Sequence, residues 1–149
     1  MGSTAAASLP SAGPVRIRRT GDGRVLCGHL GFATSLPQRL RGLIGRSGVD
    51  ADEGLYIPTA SIHMMFMRFP IDALFVSAPD TSGGRRVVGV REDLPPWRGV
   101  VWPVRGAQGV VEMAAGTLRR HGVAVGDVVT FESAADGSPA AGDPTTSET

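Results

Sequence analysis

Residues 63–76 constrain the fold of this chain most, because two apolar, strand-like runs meet there at a proline. The stretch has the sequence HMMFMRFPIDALFV. Pro70 fixes its own φ and restricts the residue before it, so regular strand pairing breaks between the two runs. His63, Arg68 and Asp72 lie in this apolar setting, and each must face water or find a partner, because an unpaired buried polar group is costly. The segment predicts a corner of a sheet and a candidate site.

Short apolar runs separated by turn signals extend over residues 15–132 and predict a mainly β fold. The predicted strands are residues 15–20, 24–33, 54–57, 62–67, 72–78, 86–91, 100–104, 109–113 and 127–132. Gly21-Asp22-Gly23 indicates a hairpin turn between the first two strands. Two short helices are expected, at residues 34–45 and 115–121, the second ending at Gly122. The fold class is therefore α+β: a small antiparallel β-barrel or strongly bent sheet with two short helices.

Composition predicts one folded domain, residues 15–132, between disordered tails at 1–14 and 133–149. Both tails are rich in small residues and too poor in apolar surface to offset the entropy of ordering. The net charge is +1 and all 15 basic residues are arginine, which excludes a catalytic lysine. One cysteine, no signal-peptide pattern and no apolar run of about 20 residues predict a cytoplasmic protein without membrane insertion.

Six motifs, in this order along the chain, resemble a bacterial and archaeal family catalogued as domain of unknown function 192. They are RLRGLIGR (39–46), GLYI (54–57), IH (62–63), FMRFPIDALF (66–75), VVEMAAGTL (110–118) and GVAVGD (122–127). The resemblance implies a mainly β, barrel-like domain with short helices and no established biochemical activity.

Arg41, Asp72 and Glu112 each lie within one of these motifs and are charged among apolar neighbours. One interpretation is a structural network of ion pairs that ties the first helix to two strands. The alternative is functional: two carboxylates near an arginine can bind a polar ligand or transfer protons. An enzyme would use His63 with Asp72 or Glu112 as acid and base. If that enzyme were a hydrolase, Ser61 would be its nucleophile, although the sequence around Ser61 does not form a nucleophile elbow.

A soft-metal or redox site is a further alternative, because period-two spacing brings thioether, thiol and imidazole groups onto strand faces. The expected ligands are Cys27 and His29 on one face of a strand, with Met65 and Met67, beside His63, on one face of another. The competing interpretation is packing, since methionine and free cysteine commonly fill cores. No cofactor is predicted.

Pro95-Pro96-Trp97-Arg98, followed by Val101-Trp102-Pro103, predicts a stiff loop that carries aromatic and basic side chains. Such loops suit binding, because tryptophan and arginine are favoured at interfaces and proline lowers the entropic cost of ordering. The alternative is that Trp97 caps an open end of the barrel. The arginines are scattered and few aromatics accompany them, so nucleic-acid binding is not expected. The preferred hypothesis is a non-catalytic domain that binds a protein partner or small polar ligand through Arg41, His63, Arg68, Asp72, Trp97 and Arg98.

Overall fold

A computed structural model describes residues 14–33, 43 and 46–140, and nine strands and one helix lie within them. The strands are β1 (Val15–Arg19), β2 (Val25–Phe32), β3 (Glu53–Ile57), β4 (Ile62–His63), β5 (Ile71–Val76), β6 (Gly84–Leu94), β7 (Val100–Val101), β8 (Gly109–Ala114) and β9 (Val128–Ser133). The helix, α1, is Thr117–His121.

Seven of the described strands close into a barrel in the order β1-β2-β3-β8-β5-β6-β9, with β1 paired to β9. The strands β4 and β7 form a separate two-stranded sheet. This architecture confirms the predicted mainly β barrel with minimal helix. One barrel pair differs from the expected antiparallel pattern, because β2 and β3 run parallel. A parallel pair requires a crossover connection, and residues 33–52 provide its length.

The predicted hairpin between β1 and β2 is confirmed, and Asp22 organises its turn. The Asp22 carboxylate accepts the backbone N–H of Arg24 at 3.0 Å and pairs with the Arg19 guanidinium at 2.7 Å. Gly23 has φ of +70°, a conformation that glycine adopts without steric cost. The residues of the turn therefore account for the hairpin formed by the first two strands of the barrel.

A bulge in β2 changes which of its side chains enter the barrel. Ile17 pairs with Cys27, whereas Val15 pairs with Leu30, so β2 holds one residue more than β1 across this interval. Cys27 and Leu30 are both buried in the barrel, and His29 is exposed. The prediction that Cys27 and His29 share a face is wrong, because the bulge interrupts the period of two.

Apolar side chains fill most of the barrel interior, and an arginine is buried among them. Arg85 is only 1% exposed, although the sequence pattern at Arg85-Arg86 indicates a solvated turn. Its guanidinium lies 4.7 Å from the ring centre of Phe131 and 5.4 Å from that of Tyr56, and it donates to the Ser77 carbonyl at 3.1 Å. Burial lowers the pKa of Arg85, while the aromatic faces and the carbonyl compensate the cation for lost water.

A second apolar core lies on the outer face of the barrel, beneath the small β4–β7 sheet. Ile71, Ala73 and Phe75 of β5 point into it, whereas Leu74 and Val76 point into the barrel. The small sheet and the loop after β4 contribute a set of buried side chains: Ile62, Met64, Met67 and Val101. Because both faces are covered, every residue of β5 is buried.

The predicted strand at residues 62–67 is shorter in the structure and ends at His63. Beyond it the Met64 carbonyl accepts the N–H of Met67 at 3.1 Å and that of Trp97 at 2.7 Å, which turns the chain. Phe66 within this turn has φ of +67°. The expectation that His63, Met65 and Met67 share a face is therefore wrong: Met67 is buried, while His63 and Met65 are exposed.

The helix predicted near residues 115–121 is confirmed as α1. Gly122 ends it with φ of +62°, and the Gly122 N–H donates to the carbonyl of Arg119. The helix predicted at residues 34–45 lies outside the described residues except for Leu43. Within the described part of the chain, no helix has the length and apolar character to cross a bilayer.

Hydrogen bonds extend the folded unit past the predicted boundaries at residues 15 and 132. The N–H of Ala134 donates to the Pro14 carbonyl at 2.8 Å, and that of Ala140 donates to the Phe131 carbonyl at 3.0 Å. Ala140 also packs against the interior core. Residues 133–140 therefore belong to the folded unit, and the remaining parts of both predicted tails lie outside the described residues.

We expect Gly109→Ala to lower the free energy of unfolding by about 1–3 kcal/mol. A Cβ at Gly109 would lie 2.2 Å from the Tyr56 ring, inside a filled barrel. Gly21→Ala is the matched control, since a Cβ there has no neighbour within 4 Å. Urea denaturation of both variants measures the difference. Equal unfolding midpoints for the two variants would show that the Tyr56 ring does not restrict the size of the side chain at position 109.

Candidate functional site

Asp72 lies inside the barrel with both carboxylate oxygens occupied by backbone donors. Oδ1 accepts the N–H of Asp93 and Oδ2 accepts the N–H of Leu118, each at 2.9 Å. Leu118 is in the first turn of α1, whose N-cap residue, Gly116, has no side-chain acceptor to offer. Asp72 supplies the missing acceptor from β5 and the favourable charge near the helix start. Its role is to hold α1 and β6 against β5.

Glu112 faces the outer core, on the opposite side of the sheet from Asp72. It is buried beside its cross-strand neighbours Leu55 and Ala73. Burial raises the pKa of Glu112 to about 7, and a hydrogen bond from the backbone of Leu43 opposes that rise. Its Oε2 atom has no hydrogen-bond partner among the described residues. The two carboxylates therefore cannot act as a pair.

The acid–base arrangement expected for an enzyme does not form around His63. The side chain of His63 is exposed on β4, on the side of the small sheet that faces away from the barrel. Asp72 and Glu112 are buried on two other surfaces, inside and outside the barrel wall. Ser61 is half-buried and its N–H donates to Thr59. Arg41 lies outside the described residues.

The four expected soft-metal ligands are also dispersed. Cys27 is in the interior core and Met67 is in the outer core, while His29 and Met65 are exposed. Burial raises the pKa of the Cys27 thiol to about 11, which disfavours the thiolate that binds metals. Within residues 14–33, 43 and 46–140, no three His, Cys, Asp or Glu side chains form a cluster able to hold a metal.

Five large hydrophobic side chains are exposed on β7 and on the loops next to β4 and β7, and we call them together the aromatic patch. Its members are Met65, Phe66, Trp97, Val100 and Trp102. The described residues expose one other large hydrophobic side chain, Val125, in the loop before β9. Phe66 and Trp97 are 55% and 57% exposed, and their rings meet edge to face with centres 5.0 Å apart. Trp97 therefore does not cap the barrel.

The backbone of the patch is held in a conformation that costs free energy. Phe66 and Trp97 have φ of +67° and +70°, a region that bulky residues avoid, at about 1–3 kcal/mol each. Met64, directly beneath, joins the two loops: its N–H donates to the Gly99 carbonyl and its carbonyl accepts from Trp97, both at 2.7 Å. A Cβ on Gly99 would lie 2.6 Å from Met64 Cγ. Close packing below thus directs both rings toward solvent.

The loops that carry the patch are basic. Residues 58–71 and 95–108 contain His63, Arg68, Arg98 and Arg105 but no aspartate or glutamate. These four side chains are exposed, and among the described residues none of the three arginines forms an ion pair. The sequence pattern identified Trp97, Trp102, Arg68 and Arg98 but not Phe66 and Arg105. The signal available was two acid-free loops containing aromatics next to prolines.

A pocket of about 330 Å³ lies apart from the patch, along β2 and β3. Its lining is Pro14, His29, Leu30, Gly31, Arg46, Glu53, Gly54 and Leu55. The polar groups there are occupied by neighbours: Arg46 pairs with Glu53, and His29 Nδ1 lies 3.3 Å from Asp52 Oδ2. The aromatic patch is the stronger candidate site.

We expect Asp72→Asn to destabilise the fold by about 2–3 kcal/mol, because an amide nitrogen would face a backbone N–H donor in a buried setting. Asp136→Asn is the control: Asp136 is exposed and accepts local bonds from Ser138. Thermal and urea unfolding report the difference. Equal losses in both variants would contradict the structural role of Asp72.

Glu112 should make stability fall as pH rises from about 4.5 toward 7. In this window the unfolded chain releases the Glu112 proton while the folded protein keeps it, so deprotonation favours unfolding. Glu112→Gln should remove the fall, a difference of up to about 3 kcal/mol. Burial lowers the pKa of His121, so His121 makes stability rise with pH over an overlapping range. The quantity to plot against pH is therefore the free energy of unfolding of the wild type minus that of Glu112→Gln. Parallel curves would contradict the raised pKa.

The fold occurs in solved structures of other proteins. A crystal structure of a protein from Sinorhizobium meliloti 1021, described as a candidate transcription regulator, matches with a TM-score of 0.61 and 26% identity, over 78% of this chain and 91% of that one. A protein of unknown function from Novosphingobium aromaticivorans DSM 12444 matches with a TM-score of 0.63 and 24% identity, over 78% and 82%. The second match shows the fold alone.

Curated relatives include two UPF0127 proteins, from Thermococcus gammatolerans and Thermococcus sibiricus. Each is 32% identical over 115 residues, covering 74% of this chain and 71% or 70% of the relative. Residues 17–131 match the family model for domain of unknown function 192, described as "Uncharacterized ACR". This match spans the barrel, the small sheet and the aromatic patch. The chain belongs to that family.

Proposed function

We propose that this protein is a non-catalytic binding domain that contacts a protein partner through the aromatic patch. The observation that carries the proposal is the pair Phe66 and Trp97. Both are more than half exposed and both are held at positive φ. Backbone strain and exposed aromatic surface each cost stability, and their coincidence at one place favours a functional reason.

The chemistry of the patch suits a protein surface. Tryptophan, arginine and aromatic residues dominate the energetics of protein interfaces, and this patch contains Trp97, Trp102 and Phe66 beside arginines. The interlocked loops are preorganised, so binding would lose little conformational entropy. A small polar ligand is less suited, because the patch is an exposed surface and ligands favour concave sites.

Nucleic acid is a weaker candidate, although one structural relative is described as a candidate transcription regulator. The Phe66 and Trp97 rings contact each other edge to face, whereas single-stranded nucleic acid stacks its bases on aromatic faces along a basic groove. The net charge of +1 also gives little of the phosphate attraction on which nucleic-acid affinity depends.

An enzymatic function has less support than binding. Both oxygens of Asp72 are occupied by backbone N–H groups, and His63 is exposed on a different surface. We retain the cytoplasm as the proposed compartment on the basis of the single cysteine, a buried free thiol. Such thiols are typical of reducing environments.

Photocrosslinking from position 102 tests the proposal. Benzoylphenylalanine replaces Trp102, whose side chain is 81% exposed, in the full chain expressed in cells. We expect a crosslinked protein that excess purified wild type competes away. The double variant Phe66→Gly/Trp97→Gly should compete poorly while remaining folded, because glycine adopts positive φ without strain.

The matched control places the crosslinker at Val125, which is also exposed. Val125 lies near Val87, at the end of the β5–β6 pair that is remote from Phe66 and Trp97. The same crosslinked proteins from both positions, or equal competition by wild type and the double variant, would overturn the proposal. Circular dichroism confirms that the competitor is folded.

A further inference from the structure

We infer that the partner presents an acidic segment with a large apolar side chain, which the aromatic patch and its arginines bind together. This inference rests on the proposed function and names the chemistry of the occupant. The apolar side chain would pack against Phe66 and Trp97. The carboxylates would reach the arginines at the margin of the patch.

The unpaired charges near the patch are positive, because the nearby acidic side chains already have hydrogen-bond partners. Glu92 and Asp93, at the end of β6, both accept from Arg119, at 3.2 and 2.9 Å. Asp72 is buried and bound to backbone donors. Arg68 and Arg98, which lie close in sequence to Phe66 and Trp97, have no acidic partner within the described ranges. A guanidinium donates two parallel hydrogen bonds to a carboxylate, so the matching ligand group is Asp or Glu.

Two other occupants fit this charge pattern poorly. A second copy would bring the same arginines against each other, and like charges across an interface suppress association. The chain's own residues 141–149 include Asp143 and Glu148 but no large apolar side chain to fill the patch. An external acidic segment satisfies both the charge and the apolar surface.

The arginines at this margin are exposed, so they should select the partner and speed encounter more than they hold it. Exposed ion pairs are screened by salt, whereas apolar contact at the centre is not. The inference therefore has two separable consequences. First, affinity for the partner should fall as the salt concentration rises, and this fall should require the arginines at the margin. Second, loss of the Phe66 and Trp97 rings should weaken binding at every salt concentration.

Selection of short random peptides on the full-length protein tests both consequences. We expect the selected peptides to be enriched in Asp or Glu flanking Leu, Phe or Trp. Fluorescence anisotropy then compares a selected peptide with versions in which Gln replaces its acids, or Lys replaces them. We expect the Gln version to bind about tenfold more weakly at low salt and the Lys version more weakly still.

Protein variants separate the inference from the proposed function. Arg68→Gln/Arg98→Gln should weaken binding of the acidic peptide to the level of its Gln version and flatten the salt dependence. Arg86→Gln, an exposed arginine at the other end of β6, and Val125→Ala are the controls and should bind like wild type. Phe66→Gly/Trp97→Gly should bind no version of the peptide.

Each outcome has a defined meaning. Peptides without excess acid that still require Phe66 and Trp97 would overturn the acidic partner and leave the proposed function standing. Peptides that bind the Phe66→Gly/Trp97→Gly variant as well as wild type would overturn both. Patch-dependent binding to single-stranded DNA, or to phosphatidylcholine vesicles containing phosphatidylserine, with no peptide enrichment, would replace the protein partner by nucleic acid or membrane. Concentration-dependent dimerisation through the patch would replace it by a second copy.

Discussion

The complete burial of strand β5 is the constraint on which the rest of the structure depends. Its six residues are covered on one side by the barrel core and on the other by the outer core. A strand that is apolar on both faces cannot lie at the surface of an antiparallel barrel without a further layer. The β4–β7 sheet is that layer, and its position follows from the need to cover Ile71, Ala73 and Phe75.

Two buried carboxylates, Asp72 of β5 and Glu112 of β8, have different hydrogen-bond partners because they lie on opposite sides of the barrel wall. Asp72 points into the barrel, where α1 and the end of β6 offer backbone N–H groups. Glu112 points into the outer core, where Leu43 offers one donor and Oε2 lacks a partner in the described part of the chain. Asp72 therefore connects β5 to α1 and β6 through hydrogen bonds, whereas burial biases Glu112 toward its neutral form.

The aromatic patch is the outward side of the same covering layer. Met64 and Met67 point down onto β5, and the tight packing of Met64 beneath Gly99 leaves the intervening Phe66, and Trp97 opposite, directed at solvent. The loops that complete the core thus also carry the surface available for binding. This arrangement explains how strain at Phe66 and Trp97 is tolerated, because the buried methionines and backbone bonds between the loops fix the local conformation.

The sequence by itself determined the mainly β class, most strand positions, the hairpin at Asp22-Gly23 and the end of α1 at Gly122, because these follow from local periodicity and turn chemistry. It also identified Asp72 and Trp97 as candidate site residues. Only the tertiary structure decided that Cys27 and His29 separate at a bulge, that Asp72 and Glu112 lie on opposite faces, that Arg85 is buried between rings, and that Phe66 joins Trp97. The bulge depends on how β2 pairs with β1, and the other three depend on contacts between segments distant in sequence. A shift of one residue in pairing moves a side chain from one face of a sheet to the other.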